Sequence, residues 1–235
     1  MDALRMAAQS LALAAALAAV AARPDPADAQ SKPAKPAAKP AADPDRPVAG
    51  GGDLPRGWAA RTDTRGKEGD IKFAVMDPGW HITLGPATLL YRPTDKVDGA
   101  FTATALITQT SAPKHAEGYG LFVGGQSLEA DPQQKYTYFL IRGDGKYLIK
   151  KRDGANLTSL NSAWTSHPAI VKQGPSGEAT NRLEVTMDRT RLVFRVNGKE
   201  VYSADPRLID TKGIAGLRVN HNLDIHVQSF EVKKL

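Results

Sequence analysis

The chain has 235 residues, with 31 Lys+Arg against 25 Asp+Glu, 41% apolar and 6% aromatic residues, and no cysteine. That length allows one or two ordinary domains or one large all-β domain, and 24% charged residues in a mixed apolar set exclude wholesale disorder, a collagen-like chain and a polytopic membrane protein. The lack of cysteine excludes disulfides, zinc-thiolate and iron–sulfur centres, a thiol nucleophile and a lipidated N-terminal cysteine.

The chain opens with Arg5 and then an apolar run over residues 11–22. That run is too short for a bilayer core of about 30 Å, which needs roughly 20 apolar residues, and has the length of a signal-peptide core. Ala27-Asp28-Ala29 places small residues where a signal peptidase reads. A signal peptide over residues 1–29 is expected, with a cut after Ala21 or Ala22 as the alternative. Residues 30–56 follow as a linker of repeated Lys-Pro-Ala steps ending in Gly50-Gly51-Gly52. Such steps favour polyproline II and hold nothing large enough for a core, so this stretch is expected to be disordered, reaching roughly 60 Å for its central ~20 residues. Export predicts a periplasmic or extracellular protein with no transmembrane segment once the leader is removed.

Residues 51–235 hold 25 Lys+Arg and 20 Asp+Glu, and their longest basic run is Lys150-Lys151-Arg152. Nucleic-acid binding calls for a basic stripe with interleaved aromatics, which is absent; a mildly basic surface suits polyanionic glycans or simply solubility.

From Gly57 onward short alternating runs replace any 3.6-residue period. In chain order the strand candidates are residues 71–75, 80–83, 88–91, 101–108, 119–123, 136–142, 146–151, 170–172, 183–188, 192–196, 200–203, 216–220 and 224–232. Gly143-Asp144-Gly145 and Asn197-Gly198 read as hairpin turns, the latter supplying the positive φ of a type I′ turn. Gly124-Gly125 reads as a bulge or close strand approach. About twelve strands at 8–12-residue spacing predict one all-β domain over 57–235, a two-sheet antiparallel sandwich whose inward side chains, at about 1.5–3 kcal/mol each, suffice without disulfides.

Several segments then point to a family: Gly57-Trp58, Gly85-Pro86, the run Glu117-Gly118-Tyr119-Gly120-Leu121-Phe122-Val123-Gly124-Gly125, Tyr138-Phe139-Leu140-Ile141-Arg142, Val196-Asn197-Gly198, and the closing Gly216-Leu217-Arg218-Val219-Asn220-His221-Asn222-Leu223-Asp224. With them the chain resembles the concanavalin A-like lectin/glucanase superfamily, and among its members the small exported laminin-G-like or keto-disaccharide hydrolase-like bacterial domains. The resemblance covers roughly residues 57–235. It implies a two-sheet jelly roll and, in many members, sugar binding on one sheet, with calcium in some and β-glucan hydrolysis in others; fold alone does not fix which. The glucanases of this fold carry Glu-x-Asp-x-x-Glu on one strand, with two carboxylates about 5–5.5 Å apart for retaining chemistry. That triplet is missing. Glu129-Ala130-Asp131 runs into Pro132 and reads as a loop, while Glu184, Asp188 and Glu231 fall mostly on solvated faces. No catalytic residue is therefore assigned, and a keto-glycoside activity would instead need a His or Asp base and a metal.

The five histidines, His81, His115, His167, His221 and His226, show no metal-ligand spacing. Asn220, Asn222 and Asp224 could supply Ca²⁺ oxygens from one loop, or form a tight turn held by Asx hydrogen bonds; otherwise no cofactor is expected. Strand parity turns His81, Tyr138, Arg142, Lys150, Arg218, Asn220 and His226 outward when their apolar neighbours face the core. Rings that stack on sugar C–H faces and donors that reach hydroxyls or carboxylates make these seven the candidate ligand-binding set. An ordinary solvated antiparallel sheet would show the same parity.

Arg142-Gly143-Asp144 and the sequon Asn156-Leu157-Thr158 read as a hairpin turn and a loop. No Gly-x-Ser-x-Gly elbow and no Gly-rich phosphate loop occurs. Carbohydrate or cell-envelope glycan binding by a monomer is the leading expectation. A hydrolase or lyase on modified keto-disaccharides and an envelope protein that binds another protein are the alternatives.

Overall fold

The computed structural model describes residues 43–235. The expected leader, and the linker as far as residue 42, lie outside the described residues. In chain order the strands are β1 (Ala59–Thr62), β2 (Ile71–Val75), β3 (Trp80–Leu84), β4 (Thr88–Val97), β5 (Phe101–Gln109), β6 (Gly118–Gln126), β7 (Lys135–Arg142), β8 (Lys146–Asp153), β9 (Asn156–Ser159), β10 (Thr165–Ser166), β11 (Ala179–Met187), β12 (Leu192–Val196), β13 (Lys199–Ala204), β14 (Gly213–Val219) and β15 (Asp224–Lys234). They form two antiparallel sheets. The eight-stranded sheet runs β1-β4-β14-β6-β7-β8, with β9 and β10 dividing the far edge of β8; the seven-stranded sheet runs β13-β12-β11-β5-β15-β3-β2. This is the jelly-roll sandwich that the alternating runs predict.

β5 shows how the sequence makes the sandwich. Phe101, Ala103, Ala105 and Ile107 are fully buried toward the other sheet, and Thr102 and Thr104 face out. Threonine's branched Cβ suits the pleated outer surface, and the inward alanines admit larger side chains from the facing sheet. Phe139 on β7 meets Phe194 on β12 across the core, edge to face at 5.4 Å, a geometry worth about 0.5–1.5 kcal/mol beyond the area it buries.

The turns follow their residues. Asn197 and Gly198 both have positive φ, 50° and 77°, and close the β12–β13 hairpin. Gly124 has φ 69° where β6 and β7 shift register, and a Cβ there would lie 2.2 Å from the Asp210 carbonyl oxygen, so the bulge requires glycine.

Four expectations change. Residues 170–172 form no strand, because the buried Asn181 amide stands in for one: its Oδ1 accepts from the Val171 N–H at 2.9 Å and its Nδ2 donates to the Val171 carbonyl at 3.1 Å. The sequon Asn156-Leu157-Thr158 lies on the exposed strand β9 rather than in a loop, since β8 runs on to Asp153 and offers it an edge. Strands β1, β9 and β10 are too short for alternation to reveal them.

The linker expected through residue 56 ends earlier, because residues 43–56 lie against the sandwich and the folded unit begins at Asp43. Arg46 is the anchor. Its guanidinium donates to the Leu84 and Leu223 carbonyls and to both Asp224 carboxylate oxygens, each at 2.9 Å. Gly51 then pairs with the edge of β2, donating to the Ile71 carbonyl at 3.2 Å and accepting from the Phe73 N–H at 2.8 Å. A proline-spaced segment is already extended and loses little entropy on docking, and it covers a strand edge otherwise open to pairing.

Candidate functional site

Parity places all seven candidate residues on outward faces, as expected, but on two different faces. His81 on β3 and His226 on β15 lie opposite one another on the seven-stranded sheet, their rings stacked at 6.5 Å. His226 Nε2 hydrogen-bonds the Pro78 carbonyl oxygen at 2.9 Å. Tyr138, Arg142, Lys150 and Arg218 belong to the eight-stranded sheet, and Asn220 directly follows the end of β14, its N–H donating to the Gly118 carbonyl at 2.8 Å. The histidine pair is therefore separated from the other five by the whole apolar core. Parity reports in or out within a strand; it does not report which sheet a strand joins.

On the eight-stranded sheet Arg218 is the buried centre. It is 8% exposed, and its Nη1 and Nη2 donate to the two Asp63 carboxylate oxygens at 2.5 and 2.6 Å. Burial opposes ionisation of both groups, yet the paired hydrogen bonds and charges outweigh it, holding Asp63 below the usual carboxylate range and raising Arg218 further. The charges of Arg152 and Arg61 add to the effect on Asp63. Arg218 Nε is buried without a hydrogen-bond partner.

Arg218 lines a cleft of about 310 Å³ at the end of the sheet where β14 stops and β4 and β6 begin. Asp45, Asp63, Glu117, Asn220 and His221 line it too. Asn220 Nδ2 donates to Glu117 Oε2 at 3.1 Å, His221 Nε2 lies 3.0 Å from Glu117 Oε1, and His221 Nδ1 lies 3.1 Å from Asp45 Oδ1. His221 thus stands between two carboxylates, one from the docked N-terminal segment and one from the β5–β6 loop. Asp43, Glu117 and His221 each present a ligand atom within 4.8 Å of the others, a set of one imidazole and two carboxylates that suits a divalent cation. The alternative oxygen set behaves otherwise. Asn222 Oδ1 accepts from the Arg46 N–H at 2.6 Å, and the Asp224 carboxylate takes the Arg46 fork and the Ser111 hydroxyl. Those oxygens hold the N-terminal segment, in a turn where Asn222 has φ 59°.

Aromatic residues lie on the same outer face. Arg142 makes a bidentate pair with Asp144 inside its own hairpin turn and stands 4.3 Å over the Trp164 ring. The indole edge rests on Gly118, where a Cβ would lie 2.7 Å from Trp164 Cη2. Tyr138 lies directly opposite Lys150, and Tyr136 opposite Arg152. Burial pushes the Tyr138 phenol up, so its hydroxyl stays protonated as a donor. Neither Tyr136 nor Tyr138 hydroxyl has a hydrogen-bond partner among the described residues.

Beside this region the same outer face carries a second apolar layer of Leu89, Tyr91, Phe122, Leu128 and Tyr136, with Tyr138 packed against it. The loop after β6 roofs it: Leu128 packs down, Glu129 accepts from the Tyr91 hydroxyl, and Asp131 accepts from buried Arg61 at 2.6 Å. Glu129 and Asp131 therefore sit in a loop, as their sequence suggests, and hold it shut.

Sequence reasoning brings Tyr138, Lys150, Arg218 and Asn220 to this region and misses Asp63, Glu117, Arg152, Trp164 and His221. The missed residues come from loops or strand ends, where period-2 alternation carries no signal.

No family model matches the chain, and no curated protein sequence matches it. Solved structures do. A carbohydrate-binding module, CBM66, from Bacillus subtilis superposes with a TM-score of 0.54 at 12% identity, covering 76% of this chain and 96% of that one. A legume lectin-like domain from Entamoeba histolytica gives 0.52 at 13% identity, covering 77% and 91%. A protein of unknown function with a galectin-like fold, also from Bacillus subtilis, gives 0.50 at 12% identity, covering 75% and 89%. These likenesses, on strand order already described, place residues 43–235 in the concanavalin A-like jelly-roll fold.

Proposed function

We propose that this protein is an exported, monomeric glycan-binding β-sandwich whose ligand seats on the outer face of the eight-stranded sheet, around the Arg218 cleft. One observation carries the reading: buried Arg218, paired with Asp63, opens into a cleft lined by amide, carboxylate and imidazole groups, and the rings of Tyr138 and Trp164 lie on the same outer face. Saccharides need that combination of ring faces for C–H surfaces and fixed polar groups for hydroxyls. The carbohydrate-binding module and the lectin-like domain that share the fold agree with the reading. Calorimetric titration against an oligosaccharide panel tests it. Tyr138→Ala and Asn220→Ala should each weaken binding about tenfold, equivalent to about 1.4 kcal/mol, while His226→Ala on the opposite face leaves affinity unchanged. Failure of every saccharide to bind removes the reading. Export is tested by intact-mass measurement of the secreted form, expected to begin at Gln30.

A second reading is favoured by His221. An imidazole between Asp45 and Glu117, in a cleft with Asp63 beside it, is an arrangement for general acid–base chemistry on a modified disaccharide. Turnover of keto-glycosides that disappears in His221→Ala would establish it; no turnover leaves binding alone.

A further inference from the structure

The side of the face away from His221 has more cationic donors than the protein satisfies. Arg218 is matched by Asp63 and Arg61 by Asp131. Arg152 and Lys150 make no ion pair among the described residues; Arg152 has one hydrogen bond, from Nε to the Gly154 carbonyl at 3.1 Å. Arg152 is close enough to Asp63 and Tyr138 for its charge to act on both. Two further donors, Arg218 Nε and Arg61 Nε, are buried with no acceptor, on side chains 8% and 2% exposed. Beside them Tyr138 is half-buried, and Tyr136 is buried in the roofed apolar layer. The buried Nε atoms are out of a ligand's reach, whereas Lys150 and Arg152 are half-buried cations without an acidic partner and can pair with an oxyanion on the ligand. At the other end of the cleft Asp45 and Glu117 would repel the same group, which fixes its orientation.

We propose that the glycan is anionic, carrying carboxylate or sulfate groups that seat between Tyr138–Lys150 and Tyr136–Arg152, with its neutral part over the Arg218–Asn220 cleft. The inference rests on the glycan-binding reading and names the ligand class for that same site. A planar guanidinium fork matches a carboxylate or sulfate bidentately, and the Tyr138 phenol adds a neutral hydrogen bond.

The test is calorimetric titration of the full chain with oligogalacturonate and oligomannuronate, each beside its methyl ester, and with dextran sulfate beside dextran. An acidic oligomer is expected to bind at least about tenfold more tightly than its uncharged counterpart. Its affinity should fall as salt rises from about 50 to 500 mM, by roughly tenfold or more. Arg152→Gln and Lys150→Gln should each remove most of the difference between acid and ester. Lys233→Gln on the opposite face is the control. Uronate binding without sulfate binding assigns a carboxylate; the reverse assigns a sulfate; both outcomes support the proposal. Equal or tighter binding of the neutral member overturns it and leaves the glycan reading standing. No saccharide binding of any kind overturns both.

Discussion

The two outer faces of the sandwich come from the same alternating code and end in opposite states. On the seven-stranded sheet many outward residues pair with one another. Thr102 meets Thr186 at 3.4 Å, Thr108 meets Thr180 at 2.6 Å, and Glu184 accepts from Arg195 at 2.8 Å. On the eight-stranded sheet the outward residues split into a roofed apolar layer and a strip with Tyr138, the unpaired Lys150 and Arg152, and the Arg218–Asp63 pair. The first face is largely paired within itself, although the buried His226 Nδ1 is left without a partner. The second has unsatisfied groups around a cleft, and unsatisfied groups are what a ligand can answer.

If that contrast is right, the largest effect comes from the roofed layer. Phe122 faces outward yet is fully buried, so Phe122→Ala should cost about 3–5 kcal/mol by denaturant titration, as for a core position. A loss below about 1 kcal/mol would show that the loop after β6 does not seal the layer.

The next is Asp63→Ala, which strands buried Arg218. Because Asp63 itself is about a third exposed, the expected loss is about 2–3 kcal/mol rather than the upper range for a buried pair, read the same way.

Arg46→Ala should cost about 1–2 kcal/mol and free the N-terminal segment to protease near residue 50. It also alters the acid limb. Burial pushes the Asp224 pKa up, but the hydrogen bonds from Arg46, Thr83 and Ser111 and the Arg46 charge lower it on balance below 3.8. The unfolded chain thus binds the proton more readily, so this contribution is present above pH 3.8 and is lost as pH falls through the lowered value. The variant should show a shallower loss of stability in that window.

A smaller effect marks the histidine pair on the seven-stranded face. Burial disfavours the charged His81 ring, the charges of His226 and Lys72 add to this, and Asp224 opposes it, leaving the pKa below 6.5. The fold then holds neutral His81, so its contribution is complete above pH 6.5 and shrinks as pH drops below that value. His81→Gln should flatten the stability profile between about pH 7 and pH 5; an unchanged slope would exclude His81 as its source. The smallest change is Thr186→Val, within about 0.5 kcal/mol, because its hydroxyl's contacts with Thr102, Glu184 and Arg195 are long, 3.1–3.4 Å, and half-exposed.

Much of this was legible beforehand. Trp80 and Ile82 in with His81 out, or Leu217 and Val219 in with Arg218 out, follow from a side-chain period of 2. The Asn197-Gly198 turn and the Gly124 bulge follow from backbone conformations that few residues adopt. What alternation could not show was sheet membership. His226 and Arg218 look alike in parity, and only strand order puts one on β15 beside β3 and the other on β14 between β4 and β6.

The amino-acid sequence alone determined the all-β class, the inward and outward sides of most strands and the tight turns, because those depend on neighbours within a few residues. The tertiary structure decided the rest. It joined Asp63 to Arg218 across 155 residues and Arg46 to Asp224 across 178, and it folded the loop after β6 over a second apolar layer. Such contacts join residues far apart in the chain through one guanidinium or one loop, and no local period encodes them.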